Sequence, residues 1–162
     1  QGAIADIAVK CAMYDGLLEA QIANAAPNVN GIYVPDPQTH YAAMALQSQI
    51  YPELLNIIRD LAGGGMIQLP SNVADFNQPD AGEDIRRYVQ SPDVSAEERV
   101  KLLKLAWDAV GSEFAGRHDQ YEKFYAGAPF IVKQRFLWNF DFELPDHLVS
   151  KALDGYDMNG RR

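Results

Sequence analysis

Three histidines (His40, His118 and His147), a single cysteine (Cys11) and a run of three glycines (Gly63, Gly64 and Gly65) are the first places to look for chemistry in this sequence. None of the histidines has a second ligand at the spacing a metal site needs, so each reads as a surface or half-buried imidazole and no metal site is expected. His118 has the richest surroundings. Glu113 with Arg117, and Asp119 with Lys123, stand at the i,i+4 spacing of helix ion pairs. The expectation is a solvated or inter-helix charged face, with contact to a ligand phosphate as the sharper alternative. Ser71, Ser112 and Ser150 lack the Gly-x-Ser-x-Gly turn that exposes a nucleophile, and no recognised pattern ties a histidine to Cys11. Asp75, Asp80, Asp84 and Asp93 are scattered through turns and helix starts, where capping and the helix dipole account for them. No catalytic residue can be assigned.

The glycine run matches neither a dinucleotide-binding fingerprint nor a P-loop, and its simplest role is to cap a helix. Three glycines are nevertheless more than a cap needs. Met66, Ile67, Gln68, Leu69, Pro70 and Ser71 follow, bringing backbone amides, an amide side chain and a hydroxyl next to apolar groups. Such a loop suits the close approach of a flat cofactor.

Helices must position these groups. Ile4, Ile7, Ala8, Cys11, Tyr14, Leu18 and Ile22 mark one face of a first helix over 4–25. Prolines, asparagines and a glycine over 27–37 predict a loop of about ten residues. A second helix is predicted over 39–62, capped by Thr39, with Pro52 forcing a kink or break near Ile50 and Tyr51. Beyond the glycines, Met66, Ile67 and Leu69 predict at most a short extended piece. A short helix over 80–89 follows, with Glu83 and Arg87 on its wet face. Ser95, with Glu98 three residues on, forms a capping box that opens a long helix carrying Val100, Leu103, Trp107, Val110, Phe114, Tyr121 and Phe124 as its apolar stripe. Gly111 and Gly116 would let a neighbouring backbone approach that helix, or let it bend. Two further helices are predicted over 130–139 and 145–153, and a frayed tail over 154–162. Strict polar/apolar alternation is hard to find, so the predicted fold class is all-α, a helical bundle forming one domain over 1–162.

Composition narrows the function classes. A 162-residue chain with 48% hydrophobic and 22% charged residues is globular, and no apolar run reaches the roughly 18 residues of a membrane span. Net charge −8, with no basic stripe, argues against nucleic acid. One cysteine allows no disulfide framework and fits a reducing cytoplasm. The chain opens on Gln1 and not on methionine, as expected of a fragment or a processed chain, and no signal peptide is recognisable.

Tyr51-Pro52, the 63–71 segment, Val73-Ala74-Asp75-Phe76, Ser95 to Val100, Leu105-Ala106-Trp107-Asp108, Gly111 to Arg117 and Gln120 to Tyr125 occur in an order and spacing that resemble the C-terminal domain of the 4-hydroxyphenylacetate 3-hydroxylase large-subunit family, over about 33–142. The resemblance implies the third part of an enzyme with an acyl-CoA dehydrogenase-like fold, the N-terminal helical and middle β-barrel domains lying outside this sequence. It also implies a helical bundle that supplies much of a homo-oligomer interface, dimer or tetramer, and a glycine-rich loop that approaches the flavin. By that resemblance Gly64, Gly65, Met66, Gln68 and Ser71 are the cofactor-binding candidates. The implied reaction is hydroxylation of a phenol with O2 by reduced FAD from a separate reductase. The protein would supply position, polarisation and exclusion of water. The family's substrate-polarising Arg, Tyr and His match no position here, so the isolated chain is expected to bind flavin weakly and not to turn over. Two rivals stand beside this reading: a 4-hydroxybutyryl-CoA dehydratase-type lyase, which shares fold and flavin but needs an iron-sulfur cluster, and a stand-alone helical assembly module. A final expectation is an uncovered apolar face built from Ile4, Ile7, Tyr14 and the 66–69 loop.

Overall fold

A computed structural model describes residues 1–156, and among these the chain forms seven α-helices joined by short turns. The helices are α1 (Gly2–Ala23), α2 (Pro37–Ala62), α3 (Pro79–Tyr88), α4 (Ala96–Val110), α5 (Glu113–Phe124), α6 (Pro129–Asn139) and α7 (Glu143–Leu153). The all-α class is as the sequence predicts. The 27–37 loop differs in detail, because β1 (Ala26–Pro27) and β2 (Tyr33–Val34) pair antiparallel in a minimal hairpin. The Asn28 carboxamide makes that turn by accepting from the backbone N–H groups of Asn30 (2.9 Å) and Ile32 (3.1 Å).

α2 is the central strut, packed against α1, α4, α5 and α6. It begins earlier than expected. Asp36, not Thr39, is the N-cap: its carboxylate accepts from the Thr39 N–H at 2.8 Å and from the Thr39 hydroxyl at 2.7 Å, and Pro37 fills the first helical position, where no N–H is needed. Pro52 does not break the helix, which runs unbroken through it. One lost backbone bond is outweighed by the helices packed along its length.

The single long helix expected from Ser95 to Phe124 is two. α4 ends where the Gly111 N–H donates back to the Trp107 carbonyl (2.8 Å), and α5 restarts where the Ser112 hydroxyl accepts from the Ala115 N–H at 3.0 Å. A Cβ at position 111 would lie 2.6 Å from the Trp107 ring, so the break is built on a glycine. The capping box at the start of α4 is formed as predicted, with Glu98 N–H to Ser95 Oγ at 3.2 Å and Ser95 N–H to Glu98 Oε2 at 3.3 Å. Ser95→Ala is expected to destabilise the chain by about 1 kcal/mol in chemical unfolding, because the cap is exposed and is one of several helix starts. An unchanged unfolding midpoint would show that α4 does not depend on it.

A buried core cluster joins Phe76, Ala96 and Val100, with Leu69, Ile85 and Val89 packed round it. α1 docks through Ala3, Ile7, Lys10, Tyr14, Leu17 and Gln21, a three- and four-residue spacing that gives one continuous seam. Of the face expected from sequence, only Ile7 and Tyr14 lie on that seam; Ile4, Ala8, Cys11, Leu18 and Ile22 are exposed. With Ala and Cys counted as apolar, α1 is apolar nearly all round, and periodicity alone cannot choose a face. Ile4 (68% exposed) and Ile67 (81%) are uncovered as expected, while Tyr14, Met66 and Leu69 are half-buried. The expected frayed tail lies partly outside the described residues; Asp154, Gly155 and Tyr156 continue α7 as a turn.

Candidate functional site

Gly63 ends α2 with φ +52°, a conformation that favours glycine, and the following residues coil into one 3-10 turn (Gly63–Met66) closed by the Ile67 N–H on the Gly64 carbonyl at 3.1 Å. No extended piece forms at 66–69, because this turn and its packing on α4 use the segment differently. The five cofactor candidates fall on one loop but are not equivalent. Gly64 faces open space, with no atom within 4 Å of where a Cβ would stand. Gly65 faces inward, where a Cβ would meet Leu103 Cδ1 at 3.2 Å and the Arg99 guanidinium at 3.6 Å. Met66 is half-buried and Gln68 exposed. The Ser71 hydroxyl donates to Asp75 at 3.3 Å. Asp75 in turn accepts from the Asn72 N–H at 2.9 Å, within a second capping box that opens the 3-10 turn Val73–Asn77. Asn72 and Asp75 show the same three-residue spacing as Ser95 and Glu98, the signal by which this box is legible in the sequence. The surface presented outward is therefore Gly64, Ile67 and Gln68: one glycine without a clash, one apolar side chain and one carboxamide.

A second cluster surrounds His118 on α5. The Glu113–Arg117 pair forms at 2.6 Å, but both partners are largely exposed, so the pair contributes little. The expected Asp119–Lys123 pair does not form. Asp119 is half-buried with Oδ1 shut off from solvent and without a partner among the described residues, whereas Lys123 stays outside with its ammonium 6.0 Å from the Phe124 ring centroid. Taking that ammonium inward would cost its hydration. His118 lies 3.4 Å from Glu122, edge-on to Tyr51 and stacked between Phe114 and Tyr121. Glu122 also accepts from the Gln47 amide. Burial, then the neighbouring Tyr125 and the Glu122 carboxylate, push the Tyr14 phenol above its usual range; burial, then Glu122 and Asp119, do the same for Tyr51. Tyr14 and Tyr51 line a cavity of about 200 Å³ between α1 and α2. The His118 cluster is thus an aromatic inter-helix joint, and no lysine or arginine of α5 points a free charge at a phosphate there. His40 Nδ1 meets Oε1 of the buried Gln21 at 2.9 Å, a structural contact, and His147 is exposed.

The family model described as 4-hydroxyphenylacetate 3-hydroxylase C terminal matches residues 1–154. The chain belongs to that family. The match extends the resemblance seen over 33–142 to almost the whole chain. The oxygenase component of 4-hydroxyphenylacetate 3-monooxygenase from Klebsiella oxytoca is 35% identical over 155 residues, covering 91% of this chain and 29% of that protein. The chain therefore spans under a third of the length of this curated relative. Among solved structures, the oxygenase component HpaB of 4-hydroxyphenylacetate 3-monooxygenase, complexed with FAD and 4-hydroxyphenylacetate, superposes with a TM-score of 0.88 at 29% identity, over 95% of this chain and 32% of that one. An oxygen-tolerant archaeal 4-hydroxybutyryl-CoA dehydratase from N. maritimus superposes with a TM-score of 0.81 at 18% identity, over 99% of this chain and 32% of that one, which shows a common fold and nothing more. The hydroxylase-family bundle described here thus has a fold that is not peculiar to hydroxylases, and the lyase reading gains nothing from it.

Proposed function

We propose that this chain is the C-terminal, flavin-contacting and oligomer-forming part of a cytoplasmic oxygenase that hydroxylates a phenol with O2, using reduced FAD delivered by a separate reductase. What carries the reading is the match over 1–154 to the hydroxylase C-terminal family, together with 35% identity to an oxygenase component. The outward surface of the glycine-rich loop fits a flat ring system: Gly64 leaves room for close approach, Ile67 offers an apolar contact and Gln68 an amide that both donates and accepts. When bound, FAD supplies the redox chemistry that activates oxygen. The residues of this chain hold and orient it. Gly64, Ile67 and Gln68 make contact, the half-buried Met66 and Gly65 seat the loop, and Ser71 braces it through Asp75. Exposed aromatic residues such as Phe114 and Trp138, each 73% exposed, are the kind of surface that a homo-oligomer, dimer or tetramer, or the rest of a longer enzyme would cover.

The test is anaerobic titration of the full-length oxygenase carrying this chain with reduced FAD, followed by admission of O2 in the presence of a phenol. Saturable binding and a hydroxylated product are expected; no binding of reduced FAD would overturn the reading. Iron and acid-labile sulfide in the same preparation would point instead to the lyase. The loop has its own test in Gly64→Val. No atom stands where the new side chain begins and the backbone there is not in the left-handed region, so thermal stability should hold while the Kd for reduced FAD rises about tenfold or more. Unchanged affinity would remove Gly64 from the contact.

A further inference from the structure

Across α4 from the glycine-rich loop lies a second pocket, of about 270 Å³, bounded by α4, by Arg86 of α3 and by the Val73–Asn77 turn. Its inner wall is apolar: Phe76 and Val100 are both buried and belong to the core cluster, with the Arg86 guanidinium 5.6 Å from the Phe76 ring centroid. Its rim is cationic in a chain of net charge −8, which makes the imbalance local and specific. The Arg86 guanidinium is already committed, with Nε on Glu97 at 2.8 Å and Nη1 on the carbonyls of Phe76 (3.1 Å) and Gly82 (3.4 Å). Glu97, the one carboxylate lining the pocket, is committed to that same ion pair. Lys101 and Lys104 stand three residues apart on α4 and line the same space; Lys101 adds its charge to that of Arg86 on the Glu97 carboxylate, and neither lysine has a carboxylate at ion-pair distance among the described residues. The Asn77 carboxamide adds a donor at the opposite rim. Three cationic side chains round one shared carboxylate, beside an apolar wall of phenylalanine and valine, suit a ligand with an apolar ring and one anionic group.

We propose that this pocket is a binding site for a small aromatic anion, held by Lys101 and Lys104 at its charged end and by Phe76 and Val100 along its ring. The anionic group is either an aryl carboxylate or a nucleotide phosphate, and the choice of probes separates them.

The experiment titrates the full-length protein carrying this chain with benzoate, adenosine 5′-monophosphate, benzyl alcohol and inorganic phosphate, following amide and methyl NMR shifts of Val73, Asn77 and Val100. Benzoate or the nucleotide is expected to bind with a Kd of about 1 mM or tighter, the magnitude available to a ligand of so few atoms. Whichever binds more tightly identifies the anion. K101Q/K104Q should weaken that binding about tenfold or more and remove most of its salt dependence, with an unchanged circular dichroism spectrum, because neither lysine is fully buried. Benzyl alcohol binding as tightly as benzoate would overturn the role of the lysines, and inorganic phosphate binding as tightly as either ring compound would overturn the role of Phe76 and Val100. Absence of shifts at these residues with both aromatic anions would overturn the site. None of these outcomes depends on reduced FAD, so the site and the oxygenase reading stand or fall separately.

Discussion

Gly82→Ala is expected to destabilise the chain by about 2–3 kcal/mol, although alanine for glycine inside a helix ordinarily gains about 1 kcal/mol. Gly82 is buried on α3 where that helix presses on the Val73–Asn77 turn; a Cβ there would stand 2.3 Å from the Phe76 carbonyl oxygen and 2.9 Å from its carbon. Both are backbone atoms, so no rotamer change relieves the overlap. α3 would have to move away from the turn, loosening the contacts that Arg86 makes to the Phe76 and Gly82 carbonyls. Urea unfolding followed by circular dichroism measures the effect, and a midpoint equal to or above that of the parent would show that α3 can shift without cost.

Leu55→Ala should cost slightly more, about 3 kcal/mol, and lower Tm by roughly 10 °C. Leu55 is 5% exposed in the middle of α2, the helix on which α1, α4, α5 and α6 converge, and a cavity there has walls on several sides that cannot all collapse together. Leu61→Ala is the control: the same deletion on the same helix, at a residue 62% exposed, should stay within about 0.5 kcal/mol. Equal losses at the two positions would mean that α2 is not the strut of this bundle.

The pattern of residues revealed the elements better than their junctions. Ser95 with Glu98 announced the start of α4 because a capping box is a local device, satisfied within four residues. The break at Gly111 and Ser112 was visible only as a possible bend, since a glycine inside a helical stripe does not say whether the next serine caps a new helix or faces solvent. Thr39 was an adequate cap by type, but Asp36 with Pro37 behind it was the better one. α1 shows the limit of periodicity: a helix apolar on most sides carries no preferred direction, and its packed seam was set by α2.

The same division holds for the candidate site. Residue types and spacing by themselves determined a helical bundle, the absence of a recognisable nucleophile or metal motif, a glycine-rich turn after α2, and the family to which the chain belongs. Only the tertiary structure separated Gly64, open on its Cβ side, from Gly65, which is pressed on Leu103, and only it brought Lys101 and Lys104 to one rim with Asn77 and Phe76. The reason is physical. Caps, turns and amphipathic stripes are fixed by interactions within a turn or two of chain, whereas the side on which a glycine opens, or the set of charges gathered round one pocket, depends on which distant segment packs beside it.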